Sequence, residues 1–191
     1  LHSVDDEVSL AESASALREL QQRGLADRIG ICNATDAQRR EFSAHVECTS
    51  IQCPLNLLQS ESLTNLIHPA ADDGCQVLTY WALMKGLLAG KIDRNHIFAE
   101  GDRRLSYAVF QGAQRQRAHR IVDALAAIGR NLNRSVADLA ISWVLSQPGV
   151  SAVLAGARRP NQVLDFAEAR PLDQATLAAI DAIISSDPAA G

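Results

Sequence analysis

Aromatic residues are scarce, at 4% of 191 positions, and there is a single methionine. A core built from such a chain must close through Ala, Leu and other aliphatic side chains, as when helices pack on a second layer. Positive charge is not in surplus. Eighteen Lys and Arg against 22 Asp and Glu leave a net charge of −4, which argues against nucleic acid as the main partner. The densest basic stretch, Arg115 to Arg120, reads as a solvated helix face, with an anion contact as the alternative. No apolar run approaches the ~18 residues of a membrane span. Cys32, Cys48, Cys53 and Cys75 show neither Cys-x-x-Cys spacing nor a companion histidine cluster. A metal site is therefore not expected, and reduced thiols in a cytoplasmic protein are. The chain opens on Leu1 rather than Met, with no leader, so the expectation is a cut start.

What is present alternates. Ser9 and Glu12 form a capping-box pattern ahead of Leu10, Ala14, Leu17 and Leu20, which share one helical face, and Gly24 supplies a left-handed stop. Residues 28–32 read as a strand. Thr35 and Gln38 repeat the capping pattern before a helix towards Ala44. Residues 50–53 read as a second strand halted by Pro54, and a short helix is expected between Leu63 and Asp73. Residues 76–80 read as a third strand. The segment 82–111 has little periodicity, and the part from Ile92 to Gln111 is a candidate mobile cover. Helices are expected over 112–130 and from Ser135 to the break at Pro148-Gly149. A fourth strand is expected over 150–154, then helices from Pro160 and from Asp173 to Ser185.

Short strands, read as apolar on both faces and alternating with helices, predict a parallel α/β sheet covered by helices. A doubly wound sheet would carry a Gly-x-Gly-x-x-Gly turn, and none is present. A (β/α)8 TIM barrel needs eight βα units, and four are found. The expectation is thus a half barrel over residues 1–185 with C-terminal helices, and a tail over 186–191. Its open sheet edges need a cover, either the missing N-terminal half or a second copy.

In such folds ligands bind beyond the C-terminal ends of the strands. That rule selects His2, Asn33, Gln52, Tyr80-Trp81 and the turn Gly156-Ala157-Arg158-Arg159. Amides can pair with a carboxamide, an aromatic ring can stack on a flat heterocycle, and a glycine turn with arginines can grip phosphate. Each residue also has a plainer reading: Asn33 as a turn residue, Gln52 as a buried amide satisfying backbone, Tyr80 as core, Arg158 and Arg159 as surface charges.

Several runs carry a family resemblance: Gly30-Ile31-Cys32-Asn33; Gln52 followed by Pro54-Leu55-Asn56-Leu57-Leu58; Leu78 through Lys91; and Val153 through Val163. In order and spacing, over essentially the whole chain, they resemble the aldo/keto reductases, nearest to bacterial enzymes related to potassium-channel β-subunits. The resemblance implies a barrel enzyme that reduces aldehydes or ketones to alcohols with NADPH. It implies that Cys32, Asn33 and Gln52 lie at the nicotinamide carboxamide and that Tyr80 stacks on the ring. Trp81, Ala82 and Leu83, with Lys91 and Arg103 or Arg104, would line the pyrophosphate. Gly156, Arg158, Gln162 and Asp165 would meet the adenosine end, with Arg158 favouring NADPH. His2 matches the active-site histidine.

The sequence departs from the family pattern in places. The family's catalytic tyrosine, lysine and aspartate precede the histidine and so fall outside this chain. Cys32 stands for a usual serine, Phe166 for a common asparagine, and Ser3 for a frequent tryptophan. The resulting expectation is a fragment inactive alone, with a non-catalytic nicotinamide-binding regulatory subunit or a half-barrel binding module as alternatives.

Overall fold

The computed structural model describes residues 1–186, apart from the side chain of Asp165; the remainder of the expected tail lies outside the described residues. Helix α1 (Leu10–Gln22) begins at Ser9, whose hydroxyl accepts from the Glu12 N–H at 3.2 Å. Glu12 Oε2 accepts in return from the Ser9 N–H at 3.3 Å. Gly24, at φ +71°, closes the helix as the pattern predicts. Strand β1 (Ile29–Cys32) and helix α2 (Asp36–Ser43) follow, the latter held by the Thr35–Gln38 box. Strand β2 (Cys48–Pro54) is longer than expected, and Pro54 is its last residue. A π-helical turn over Leu63–Ile67 leads into the short α3 (His68–Asp72), with Pro69 in its first turn. Strand β3 (Gln76–Tyr80) matches its expected bounds. Then come α4 (Gly112–Leu132), α5 (Val136–Leu145), β4 (Ala152–Val153), α6 (Pro160–Ala167) and α7 (Gln174–Ser186). Strand β4 is shorter than expected.

The chain forms two compact units. The first comprises residues 1–55, 60–80 and 147–154 and holds a parallel sheet in the order β1-β2-β3-β4. Helix α1 packs on β1 and α2, α2 on β2, and α3 on β3. Ile29, Ile31, Ile51, Cys53, Val77 and Thr79 are buried, together with Phe42 of α2. Leu20, expected on the apolar face of α1, is instead exposed.

The second sheet face corrects the expectation that strands are apolar on both sides. Gly30, Ser50 and Gln76 form one row of register partners, and Cys32, Gln52, Leu78 and Ala152 the next. Gln52 and Gln76 are exposed, and the others of these rows are only half-buried. Hydrophobic composition hid an alternation with period two. Leu1 lies along the free edge of β1. Its ammonium donates to Gly30 O at 2.8 Å and its carbonyl accepts from the Cys32 N–H at 2.8 Å, the pattern of a parallel pairing.

A bulge shapes the start of β2. Ile29 pairs with Cys48 but Gly30 pairs with Ser50, so Thr49 is extra. Gly30 is required there, because a Cβ would lie 2.3 Å from Ser50 Oγ and 2.6 Å from Ser50 O.

The second unit comprises residues 56–59, 81–146 and 155 onward. Helix α4 packs on α5 and α7, burying Ile121, Leu125, Leu139, Trp143 and Ile180. Trp143 Nε1 donates to Asp181 Oδ1 at 2.8 Å, tying α5 to α7. The aperiodic 92–111 segment holds two short 3-10 turns, Arg103–Ser106 and Ala108–Phe110. It is anchored by the buried pair Phe98 and Phe110, with ring centroids 5.6 Å apart. The basic stretch of α4 is not a solvated face. Arg117 and His119 are buried, and Arg115 Nη2 donates to the carbonyls of Asp93, Arg94 and His96 at 3.2, 3.3 and 2.8 Å. Arg115 thereby satisfies a turn with no regular ladder of its own.

Candidate functional site

At the C-terminal ends of the first unit's strands, four of the expected residues meet. Asn33 follows β1 directly and adopts the left-handed region at φ +55°, where Asn is among the few tolerated side chains. Its N–H donates to Gln52 O at 3.2 Å, joining the ends of β1 and β2. Its Nδ2 donates to His2 O at 2.9 Å, and its Oδ1 accepts from the Tyr80 hydroxyl in a short hydrogen bond. Asn33 is thus a turn residue and also a hub between the stub at Leu1-His2 and β3.

One hydrogen on Nδ2 and one lone pair on Oδ1 remain uncommitted in the Asn33 bonds just described. The Gln52 side chain points from the open sheet face, exposed, and makes no hydrogen bond among the described residues. That overturns the plainer reading of a buried amide satisfying backbone. His2 is exposed, and Tyr80 is half-buried rather than core. The Cys32 thiol is pushed up by burial, which outweighs the backbone bond at Asn33 and the nearby N-terminal charge.

In the second unit, the segment after β3 is bent by consecutive unusual dihedrals. Trp81 has φ +64°, Met84 +37°, Lys85 +51° and Gly86 +98°. A bulky residue in the left-handed region costs on the order of 1–3 kcal/mol, so the surroundings must hold it. Lys85 provides a clamp. Its Nζ lies 4.3 Å from the Trp81 ring centroid and 4.7 Å from that of Tyr107. The two rings meet edge to face at 5.4 Å. Lys85 escaped the sequence reading although it sits inside the run Leu78 through Lys91, because nothing local announces a lysine over two rings.

Ala82 is buried, and Leu83 caps the 3-10 helix Met84–Ala89. Lys91 is exposed behind the left-handed Gly90. Of the two arginine candidates, Arg104 is engaged by Asp102 at 2.5–3.1 Å, whereas Arg103 is exposed. A Cβ at Gly156 would meet nothing within 4 Å, so the protein's own packing does not demand glycine there. The expectation that this turn offers its N–H groups to an anion needs correction. Gln162 Oε1 accepts from the N–H of both Arg158 and Arg159, at 2.8 and 3.1 Å. Gln162 therefore braces the turn with its oxygen. Arg158 and Arg159 are exposed. Asp165 lies in α6, and its side chain is outside the described residues.

The donor set in each unit fits a nicotinamide dinucleotide. The first unit presents two amides with spare hydrogen-bonding capacity beside an aromatic phenol. The second presents exposed cations at Lys91, Arg103 and Arg158, and a glycine beside open space. A cluster of metal-binding side chains is not found among the described residues.

Comparison with known proteins identifies the family. Residues 1–185 match the Aldo/keto reductase family. The chain is 31% identical over 169 residues to the aldo-keto reductase YhdN of Bacillus subtilis, covering 88% of this chain and 51% of that protein. It is 29% identical over 157 residues to an NADH-specific methylglyoxal reductase of Escherichia coli, covering 81% of this chain and 47% of the relative. It is also 33% identical over 120 residues to a probable voltage-gated potassium channel subunit beta of rice (Oryza sativa subsp. japonica), covering 58% and 36%. Among solved structures, the glycerol dehydrogenase AKR11B4 of Gluconobacter oxydans superposes with a TM-score of 0.90 at 30% identity, covering all of this chain and 58% of the other. The chain spans about half the length of the curated relatives it matches. Its parallel βα units are part of the (β/α)8 barrel of these proteins, of which it supplies about four. The chain belongs to the aldo/keto reductase family.

Proposed function

We propose that this chain carries the cofactor-binding part of an NADPH-dependent reductase that converts aldehydes or ketones to alcohols. The observation that carries the reading is the junction at Asn33, which ties His2, Gln52 and Tyr80 together at the strand ends. NADPH, when bound, supplies the hydride. Asn33 and Gln52 hold the carboxamide through their remaining donors and acceptors, and Tyr80 presents its ring beside them. Cys32 flanks the amides. The backbone of Trp81, Ala82 and Leu83, with Lys91 and Arg103, lines the pyrophosphate. Gly156, Arg158, Gln162 and Asp165 take the adenosine end, and Arg158 pairs with a 2′-phosphate. His2 orients the carbonyl and stabilises charge developing on its oxygen.

The open face of β1–β3, in a chain that spans about half the length of its relatives, supports a partner segment across the sheet, the N-terminal half of the same barrel. The chain alone is then inactive, with weak dinucleotide affinity. The test compares carbonyl-dependent NADPH oxidation by the 191-residue chain and by a full-length protein containing it. Turnover by the longer protein alone supports the proposal; turnover by neither, with tight NADPH binding, favours the second reading. That reading, a non-catalytic nicotinamide-binding regulatory subunit, draws on the likeness to the rice channel subunit.

A further inference from the structure

Cys48 opens β2 and Cys75 immediately precedes β3, so both lie at the N-terminal end of the sheet, away from Asn33 and Gln52 at the other end of their strands. Regular alternation from Ser50 would turn Cys48 to the open face. The bulge at Thr49 turns it instead to the helix-covered face, where it is buried beside Cys75. The Cys75 thiol donates to Cys48 O at 3.0 Å. Continuing the register from Ser50↔Gln76, Cys75 falls opposite Thr49, so Cys48 is its diagonal neighbour on the adjacent strand, about 6 Å away at Cα and within the span of a disulfide. Both cysteines line one open recess of about 620 Å³, together with Arg39, Arg40, Glu47 and Asp73. All of these residues belong to the first unit.

We infer that Cys48 and Cys75 form a dithiol that hydroperoxides oxidise to a disulfide, a modification site at the end of the sheet remote from the strand ends that carry Asn33 and Gln52. Cys75 is the attacking sulfur. Arg39 Nη1 lies 3.9 Å from its Sγ, a donor directed at this sulfur that Cys48 does not share. Cys48 is the resolving partner and stays a protonated thiol, pushed up to about 11 by burial and by Cys75 beside it.

In the first step the Cys75 sulfur attacks a peroxide oxygen as its S–H proton is given up. An S–O bond forms, the O–O bond breaks, and the departing oxygen leaves as water or alcohol with the thiol's proton. In the second step the Cys48 sulfur attacks the sulfenic sulfur of Cys75. An S–S bond forms, the S–O bond breaks, and the hydroxyl leaves as water with the proton of Cys48. Two thiols lose two electrons, and the peroxide gains them. The other cysteines do not share this arrangement. Cys32 sits on the opposite sheet face, and Cys53 is held up to about 12, chiefly by burial.

The test treats the 191-residue chain with hydrogen peroxide, blocks remaining thiols by alkylation, and maps peptides without reduction. A Cys48–Cys75 cross-link that reductant reverses, with Cys53 alkylated, is the expected result. In Cys48→Ser, Cys75 should accumulate as a sulfenic acid trapped by dimedone; in Cys75→Ser, Cys48 should stay unmodified. A preferred Cys32–Cys53 link, or peroxide consumption that leaves both Cys48 and Cys75 alkylatable, overturns the inference. The wild-type map decides the matter even if a serine variant fails to fold.

Discussion

The amide of Asn33 spans two separate pieces of chain. Its Nδ2 donates to His2 O at 2.9 Å, while its Oδ1 takes the hydroxyl of Tyr80. A single side chain in the left-handed region therefore sets both the course of Leu1-His2 along β1 and the placement of the phenol at the end of β3.

This relationship separates two roles that one substitution would confuse. Asn33→Ala removes both bonds and puts a Cβ-bearing residue at φ +55° without the local bonds that make Asn tolerable there. It should lower stability by about 1–2 kcal/mol. Asn33→Gly relieves the backbone but not the amide, so it should recover part of the melting temperature. Both variants, in a full-length protein, should weaken NADPH binding at least ~10-fold by fluorescence titration, the loss of about 1.4 kcal/mol. Full affinity in Asn33→Gly would remove Asn33 from the carboxamide site.

Arg158 should govern the choice between cofactors. A charge-assisted pair with a 2′-phosphate contributes about 1.5–3 kcal/mol, so Arg158→Leu should cut the NADPH-over-NADH ratio of kcat/KM by ~10- to 100-fold. The change should fall on NADPH alone. Equal losses with both cofactors would show that the residue acts on the turn and not on the phosphate.

Arg39 is a structural anchor. It is 2% exposed and bonds Asp36 at 2.7 Å and Asp73 at 2.6 Å, joining α2 to the residues after α3. Burial alone would push the Asp36 carboxyl up, but the hydrogen bonds from Arg40 and Arg39 outweigh it and hold it down. Arg39→Ala removes the buried guanidinium while Arg40 still bridges Asp36 and Asp73 at 2.8 and 3.2 Å, so it should cost about 1.5–3 kcal/mol in denaturant melts. Arg39→Lys should recover only part, because an ammonium cannot copy the planar fork.

His119 should make the fold sensitive to mild acid. It is 5% exposed, and its pKa is lowered by burial first and then by the charges of Arg94 and Arg115, with Asp123 and Asp93 opposing. A histidine depressed in the folded state binds its proton more readily when unfolded. Its contribution to stability is therefore present above about pH 6.5 and is lost as pH falls through the folded value. The melting temperature should drop as pH falls from about 7 to 5, and His119→Gln should flatten that slope. An unchanged slope in His119→Gln would assign it to other groups.

Gly30 is held by contact, not by its dihedrals. Gly30→Ala places a methyl 2.6 Å from Ser50 O, so at least about 1–3 kcal/mol should be lost. Adding Ser50→Ala removes the hydroxyl at 2.3 Å but not the carbonyl, so rescue should be partial.

Much of the architecture could be read from short-range signals. Ser9 with Glu12, Thr35 with Gln38, and Gly24 mark helix ends because a cap bonds residues only three or four positions away. Strand β3 was legible because Gly74 marks the turn before it and Val77, Thr79 and Tyr80 are strand formers. The residues at the strand ends followed from the rule that ligands meet a parallel sheet there. The arginines of α4 misled, since their charge says nothing about the three carbonyls that Arg115 reaches from its own helix.

The sequence by itself determined the alternation of strands and helices, the parallel direction of the sheet, and the family motifs at the strand ends. Only the tertiary structure decided which sheet face lies open, that the Gln162 oxygen braces its own turn, that Lys85 sits over both Trp81 and Tyr107, and that a one-residue bulge brings Cys48 beside Cys75. The physical reason is range. Caps and periodicity act within a turn or two of chain, whereas register and side-chain contacts depend on partners dozens of residues away, whose approach no local pattern encodes.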